Sequence, residues 1–120
     1  ERTVEALDVP GEALVAWLGP AIGPAAFEVG DEVREAFLGH APTRAAAALA
    51  FERNARGRWQ ADLVALARAR LAALGLREIA TLPACTHADS ARWYSHRRDP
   101  GSGRMATLAW LDPGAAGRGM

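Results

Sequence analysis

Apolar residues along this chain gather into short runs and helical stripes, separated by turn-forming residues. Leu14-Val15-Ala16-Trp17-Leu18 is one such run, stopped by Gly19-Pro20, and it predicts a buried strand. Gly19-Pro20-Ala21-Ile22-Gly23-Pro24 follows as a turn-rich loop. Its prolines fix φ and its glycines permit tight bends, so the loop is expected to be rigid. Val29, Val33 and Phe37 then recur at helical spacing. They predict a helix opening at Gly30-Asp31, with Asp31 as N-cap, Glu32 and Glu35 toward the positive end of the helix dipole, and Gly39 at the stop. Residues 40–58 mix alanine with arginine and glycine and show no clear period; Leu49 and Phe51 are the large anchors there.

The strongest helical stripe is Leu63, Leu66, Ala67, Leu71 and Leu74, within a helix expected from about Gln60 to Leu74. Asp62 stands near its start, Arg68 and Arg70 near its end, and Gly75 where a helix-terminating glycine belongs. Glu78–Leu82 reads as a second strand stopped by Pro83, and Arg92–Arg97 as a third. Arg104–Leu111 reads as a fourth, with Met105, Thr107, Ala109 and Leu111 on one face and Ala106, Leu108 and Trp110 on the other. Two largely apolar faces predict a central strand. Glycine-rich residues 112–120 are expected to form a frayed tail. No internal repeat or Gly/Ser linker interrupts the chain.

A chain of 120 residues suits one domain or half of a larger one. With 50% apolar and 23% charged residues it has the composition of a folded protein. Fourteen basic residues, all arginine, balance fourteen acidic ones, which argues against a nucleic-acid or membrane-surface partner. The four tryptophans lack an accompanying basic patch, so core or rim anchoring is expected for them rather than base stacking. The single cysteine leaves no internal disulfide, and no apolar run reaches about 18 residues; a cytoplasmic location is expected. Glu1–Leu7 reads as the end of a helix with Val4 and Leu7 on one face, so the true start of the protein is expected upstream.

The side chains with chemistry concentrate in the last third. Cys85 and His87 stand two apart, and on an extended segment they share a side, as a metal or a thiolate–imidazole pair requires. Zinc normally takes three or four protein ligands, so a small buried cysteine beside a polar loop residue is the default for Cys-x-His alone. His40 is expected to be exposed. Arg97 and Arg98 would face opposite ways on a strand: one could pair with Asp99 or Glu28 while the other meets a phosphate or carboxylate. A solvated charge cluster beside a hairpin turn at Asp99–Gly103 is the competing reading, and spacing alone favours it. Gly19–Pro24 has neither the glycine spacing of a dinucleotide fingerprint nor a Gly-Lys-Ser/Thr.

The order of these motifs carries further information. Trp17-Leu18-Gly19-Pro20-Ala21-Ile22-Gly23-Pro24 leads to Phe27-Glu28-Val29-Gly30-Asp31-Glu32-Val33, then Trp59-Gln60-Ala61-Asp62-Leu63 and Cys85-Thr86-His87. Tyr94-Ser95-His96-Arg97-Arg98-Asp99 and Gly103-Arg104-Met105-Ala106-Thr107 complete the series. It resembles the C-terminal half of the laccase-domain family, also called multicopper polyphenol oxidases, zinc-dependent purine nucleoside phosphorylase/adenosine deaminases, or peptidoglycan-editing factors. The likeness spans residues 1–111. It implies an α+β fold of the cysteine-hydrolase-like kind, in which mixed β-sheets pack between helices. It also implies phosphorolysis of adenosine, inosine and methylthioadenosine, and deamination of adenosine, with zinc as cofactor and copper less expected. Purine nucleoside and phosphate would be the partners. In the family two histidines and a cysteine of the N-terminal half hold the zinc. None of those motifs is in this sequence, so no metal ligand and no catalytic residue is assigned to it.

What the resemblance leaves to this chain is the substrate-side wall of the site. Arg97, Arg98 and Arg104 are expected to contact an anion or sugar or to hold the site loops. Tyr94 and Ser95 are expected to hydrogen-bond the nucleoside, and Cys85 to line the pocket. Hydrolytic editing of peptidoglycan precursors and a non-catalytic fragment that associates with another copy are the alternatives.

Overall fold

The computed structural model describes residues 1–110 and 112–114. A short helix α1 (Arg2–Leu7) and a single 3₁₀ turn lead into strand β1 (Val15–Leu18). A second 3₁₀ turn (Pro24–Ala26) precedes strand β2 (Glu28–Val29) and helix α2 (Asp31–Leu38). Helix α3 (Arg44–Leu49), strands β3 (Phe51–Arg53) and β4 (Trp59–Ala61), helix α4 (Leu63–Ala73) and strand β5 (Glu78–Thr81) complete the order.

Two sheets result. β1 and β5 run parallel in register Val15↔Glu78 through Leu18↔Thr81. The other sheet is antiparallel in the order β2-β4-β3, with Val29, Trp59 and Arg53 abreast. Its inner face supplies Val29, Phe51 and Ala61 to a core completed by Ala47, Ala50 and Leu66. Phe37 of α2 packs its ring 6.1 Å from that of Phe51. Trp59 closes the core's rim: the Arg34 and Arg53 guanidinium groups lie 4.4 and 5.2 Å from its ring centroid, and its Nε1 donates to Asp31 Oδ1 at 2.7 Å. Such cation–ring contacts let an amphipathic indole seal an edge that a purely apolar ring would leave wet.

Helix α4 links the sheets. Asp62 is its N-cap and accepts from the Ala65 amide at 2.9 Å. At the other end Gly75 adopts φ +91°, a left-handed conformation that side chains rarely tolerate. This lets the Gly75 amide reach the Ala72 carbonyl and the Leu76 amide reach that of Leu71, the reciprocal pair of a Schellman stop. Leu66 enters the core, while Leu63, Val64 and Ala67 line a groove shared with Trp17, Leu18, Gly19 and Ala21.

Several expectations are corrected. Gly30, not Asp31, is the N-cap of α2; Asp31 is the first helical residue, and its carboxylate is engaged by Trp59. Residues 40–58, which lack a period, contain α3 and β3, and Leu49 is 89% exposed rather than an anchor. His40 is half-buried, its Nδ1 3.1 Å from Thr43 Oγ1. Arg92–Arg97 is not a strand: the Trp93 amide bonds back to the Asp89 carbonyl and the Asp99 amide to that of Ser95, so the backbone curls on itself. Asp99–Gly103 does turn, but no strands flank it.

Residues 104–110 are likewise not a strand and are exposed, with Leu108 and Trp110 each at 80%. A run apolar on both faces makes a central strand only where strands flank it and layers cover both faces. No described strand pairs with it. Leu111 and residues 115–120, part of the expected tail, lie outside the described residues. Among the described residues no helix is long and apolar enough to cross a membrane.

Candidate functional site

The parallel pair β1–β5 does not stop at its last ladder residues. The Leu82 amide donates to the Leu18 carbonyl, Ala21 bridges Cys85, and the Thr86 amide donates to the Ala21 carbonyl at 3.0 Å. The two loops leaving the carboxyl ends of the strands are thereby tied together. Clefts beyond the carboxyl ends of parallel strands are where loops can diverge around a ligand. Beside them lies an open hollow of about 280 Å³ lined by Ile22, Phe27, Thr86, Tyr94, Ser95, His96 and Arg97.

Arg98 organises this region from behind. Its guanidinium donates to the carbonyls of Thr86 (2.8 Å), His87 (3.0 Å) and Trp93 (2.8 Å), and its amide donates to Ser95 Oγ at 3.3 Å. One rigid fork thus joins the Cys85 turn to the segment carrying Tyr94 and Ser95. Arg97 turns the other way. It donates to the Glu28 carbonyl at 2.9 Å and lies 5.2 Å from the Phe27 ring centroid, which fastens the hollow to the antiparallel sheet.

The Glu28 side chain anchors that sheet end from its far side. Arg56 and Asn54 bond to Oε2, Arg58 lies 3.4 Å from Oε1, and Asn54 also donates to Gln60. The Arg56 hydrogen bond above all, helped by Asn54 and Arg58, holds the Glu28 carboxyl below its ordinary range against a smaller opposing effect of burial.

The expected site residues divide as follows. Tyr94, Ser95 and Arg97 meet at the hollow, with Ser95 buried and Tyr94 exposed. Arg98 is committed to backbone carbonyls rather than to a ligand. Cys85, expected to line the pocket, is not among the lining residues; its Sγ accepts from the Gly23 amide at 3.1 Å. Burial pushes the Cys85 thiol up, but backbone hydrogen bonds from Gly23, Ala88 and His87 outweigh it and bring it below its ordinary value. Arg104 stands outside the lining, in reach of His96 Nδ1 at 3.5 Å. Neither Arg97 nor Arg98 pairs with Asp99, whose side chain accepts from the Gly101 amide.

Ile22, Phe27, Thr86 and His96 join the lining without having been singled out as site residues. The Ala21↔Cys85 bridge, with the Arg97 and Arg98 contacts, brings them together, and no sequence spacing encodes these. Among the described residues, no three His, Cys, Asp or Glu side chains gather as metal ligands, so Cys85 and His87 do not fit a zinc site.

The profile of the family described as multi-copper polyphenol oxidoreductase laccase matches residues 1–112. A Pseudomonas aeruginosa protein named purine nucleoside phosphorylase is 51% identical over 113 residues, covering 92% of this chain and 45% of its own length. Escherichia coli YfiH, also named purine nucleoside phosphorylase, is 45% identical over 92% of this chain and 44% of its own length. The chain therefore spans about half the length of these relatives. The crystal structure of a Neisseria meningitidis protein assigned to family DUF152 superposes with a TM-score of 0.78 at 40% identity, over 85% of this chain and 41% of that one.

Two outcomes follow for the intact protein. Arg98→Lys keeps the charge but cannot span three diverging carbonyls, so it is expected to cost about 1–3 kcal/mol. Amide exchange should quicken over 85–98 and stay unchanged in α4; uniform exchange across both would contradict the clamp. Because Glu28's carboxyl is held low, its ion pairs stabilise the fold above the ordinary carboxylate range, and that contribution is lost as pH falls through the lowered value. Glu28→Gln should therefore flatten the acid side of the unfolding-midpoint profile, whereas parallel profiles would count against it.

Proposed function

The chain belongs to the multi-copper polyphenol oxidoreductase laccase family, and we propose that it forms the substrate-side wall of a purine nucleoside phosphorylase. The observation that carries this reading is the hollow itself. Ile22 and Phe27 give its lining an apolar part, and Thr86, Tyr94 and Ser95 bring hydroxyl-bearing residues to it. A flat, heteroaromatic base attached to a sugar needs that mixture: ring contact for the base, and hydrogen bonds for its edge and the ribose.

In this reading Ser95 does two things. Its oxygen accepts from the Arg98 amide, and its O–H remains a donor for substrate. Thr86, fixed through its amide and carbonyl by Ala21 and Arg98, lines the hollow from the opposite loop. The chain's residues thus bind and orient the nucleoside. The zinc that the family resemblance implies would be held in the part of the relatives' length that this chain does not span. There it would supply an activated oxygen nucleophile, which also accounts for the deamination of adenosine that the resemblance implies. A cytoplasmic location accords with nucleoside and phosphate as partners.

The test is product chromatography of the full-length gene product with adenosine and phosphate. Adenine and ribose 1-phosphate are expected, and Thr86→Val should raise KM for adenosine about tenfold. No adenine, together with turnover of a muramyl-peptide precursor, would replace this reading with precursor editing.

A further inference from the structure

Gly23 and Cys85 lie outside the lining of the hollow, yet each is the chain neighbour of a residue that forms it. Ile22 precedes Gly23, and Thr86 follows Cys85. The two are in direct contact: the Gly23 amide donates to Cys85 Sγ at 3.1 Å across 62 positions of the chain. On the other side of Ile22, Ala21 forms a bridge with Cys85, and the Thr86 amide donates to the Ala21 carbonyl at 3.0 Å. Ile22 is therefore fastened on both flanks to one dipeptide, Cys85-Thr86. The Ala21 flank is held by backbone and the Gly23 flank by the thiol. Cys85 is itself held, because its carbonyl accepts from the Ala88 and Asp89 amides at 3.2 and 3.3 Å.

The glycine supplies room, not backbone freedom. Gly23 has φ −78° and ψ 162°, an extended geometry that any L residue adopts. Apart from its chain neighbours, a Cβ at position 23 would meet two atoms among the described residues, Cys85 Cβ and Sγ, each at 3.3 Å. That is inside the optimal separation of about 3.5–4.0 Å for carbon atoms, so one of the two loops would have to give. Packed segments pass such a shift to their neighbours, which here are Ile22 and Thr86.

The structure assigns Gly23 and Cys85 as a positioning pair: without touching the ligand, they fix the separation of Ile22 and Thr86 across the hollow. For its effect on binding this rests on the nucleoside reading above, and it adds what sets the gap that the nucleoside enters. Ile22 brings an apolar side chain and Thr86 a hydroxyl-bearing one. A change in their separation therefore weakens two contacts to one ligand at once. The pair acts on binding and not on the reacting bond, so its loss reads in KM more than in kcat.

The experiment follows inosine phosphorolysis by the full-length gene product, together with amide exchange in the ligand-free protein. Gly23→Ala and Cys85→Ala should each raise KM for inosine about threefold to tenfold, the range of one lost neutral hydrogen bond, with kcat changed less than about twofold. Cys85→Ser should recover part of the loss, because a hydroxyl still accepts from the amide. Both alanine variants should quicken amide exchange over 21–23 and 85–86 and leave α4 unchanged. Gly23→Ala should cost less in a Cys85→Ala background than alone, since one of the two atoms its Cβ meets is gone. Unchanged exchange and unchanged KM in Gly23→Ala would overturn the assignment. So would effects of the two substitutions that simply add, or a fall in kcat at constant KM. Quickened exchange with that non-additivity, in a wild type that binds no inosine, would uphold the pair and overturn the nucleoside reading instead.

Discussion

Three backbone carbonyls converging on one guanidinium is the constraint from which the site follows. Thr86, His87 and Trp93 belong to segments with little regular structure, and loops left alone would sample many shapes at about 1–2 kcal/mol of entropy per ordered residue. Arg98 offsets part of that by satisfying all three carbonyls from one side chain. Ordered loops give Ser95 and Thr86 fixed positions, and Arg97, the next residue back, is turned toward the Phe27 ring. Remove the fork and the same residues remain in the sequence without a shared geometry.

The antiparallel sheet meets the site loops at Glu28 and through β4, where the Ala61 amide donates to the Phe27 carbonyl and Gln60 to those of Pro24 and Ala25. Glu28 gives its carbonyl to Arg97 on one side, while its carboxylate gathers Asn54, Arg56 and Arg58 on the other. The core behind this joint is modest in volume: its buried members include three alanines, Ala47, Ala50 and Ala61. Polar fastening at Glu28 and cation–ring contacts at Trp59 therefore complement apolar burial at the sheet's rim. The parallel pair is the opposite case. Val15 and Trp17 are 70% and 52% exposed, although parallel strands are normally covered on both faces.

Helix α4 and the positions of β1 and β5 were legible in the sequence because local signals agreed there, but β1, expected to be buried, leaves Val15 and Trp17 exposed. Asp62, the leucine stripe and Gly75 each point to the same helix, and its observed bounds differ from the expected ones by a few residues at the start, where Gln60 and Ala61 belong to β4. Helix α3 was illegible since a run of alanines carries no amphipathic period; it is placed by Ala47 and Ala50 entering the core. The strand expected at Arg92–Arg97 failed for another reason: the segment folds around the Arg98 guanidinium instead of extending along a pleated face. At Arg104–Trp110 the pattern is real but no described strand answers it. The site was half legible. Residue chemistry singled out Tyr94, Ser95 and Arg97, whereas the floor at Ile22 and Phe27 depends on the Ala21↔Cys85 bridge, a contact across sixty-odd residues.

The central claim is that the hollow beyond the carboxyl ends of β1 and β5 is the nucleoside site. A crystal structure of the full-length gene product with inosine tests it most directly. The account predicts purine density against Phe27, with the Ser95 and Thr86 hydroxyls in hydrogen-bond reach of the nucleoside. Density instead in the groove between Trp17 and Leu63, with the hollow free of ligand, would contradict it.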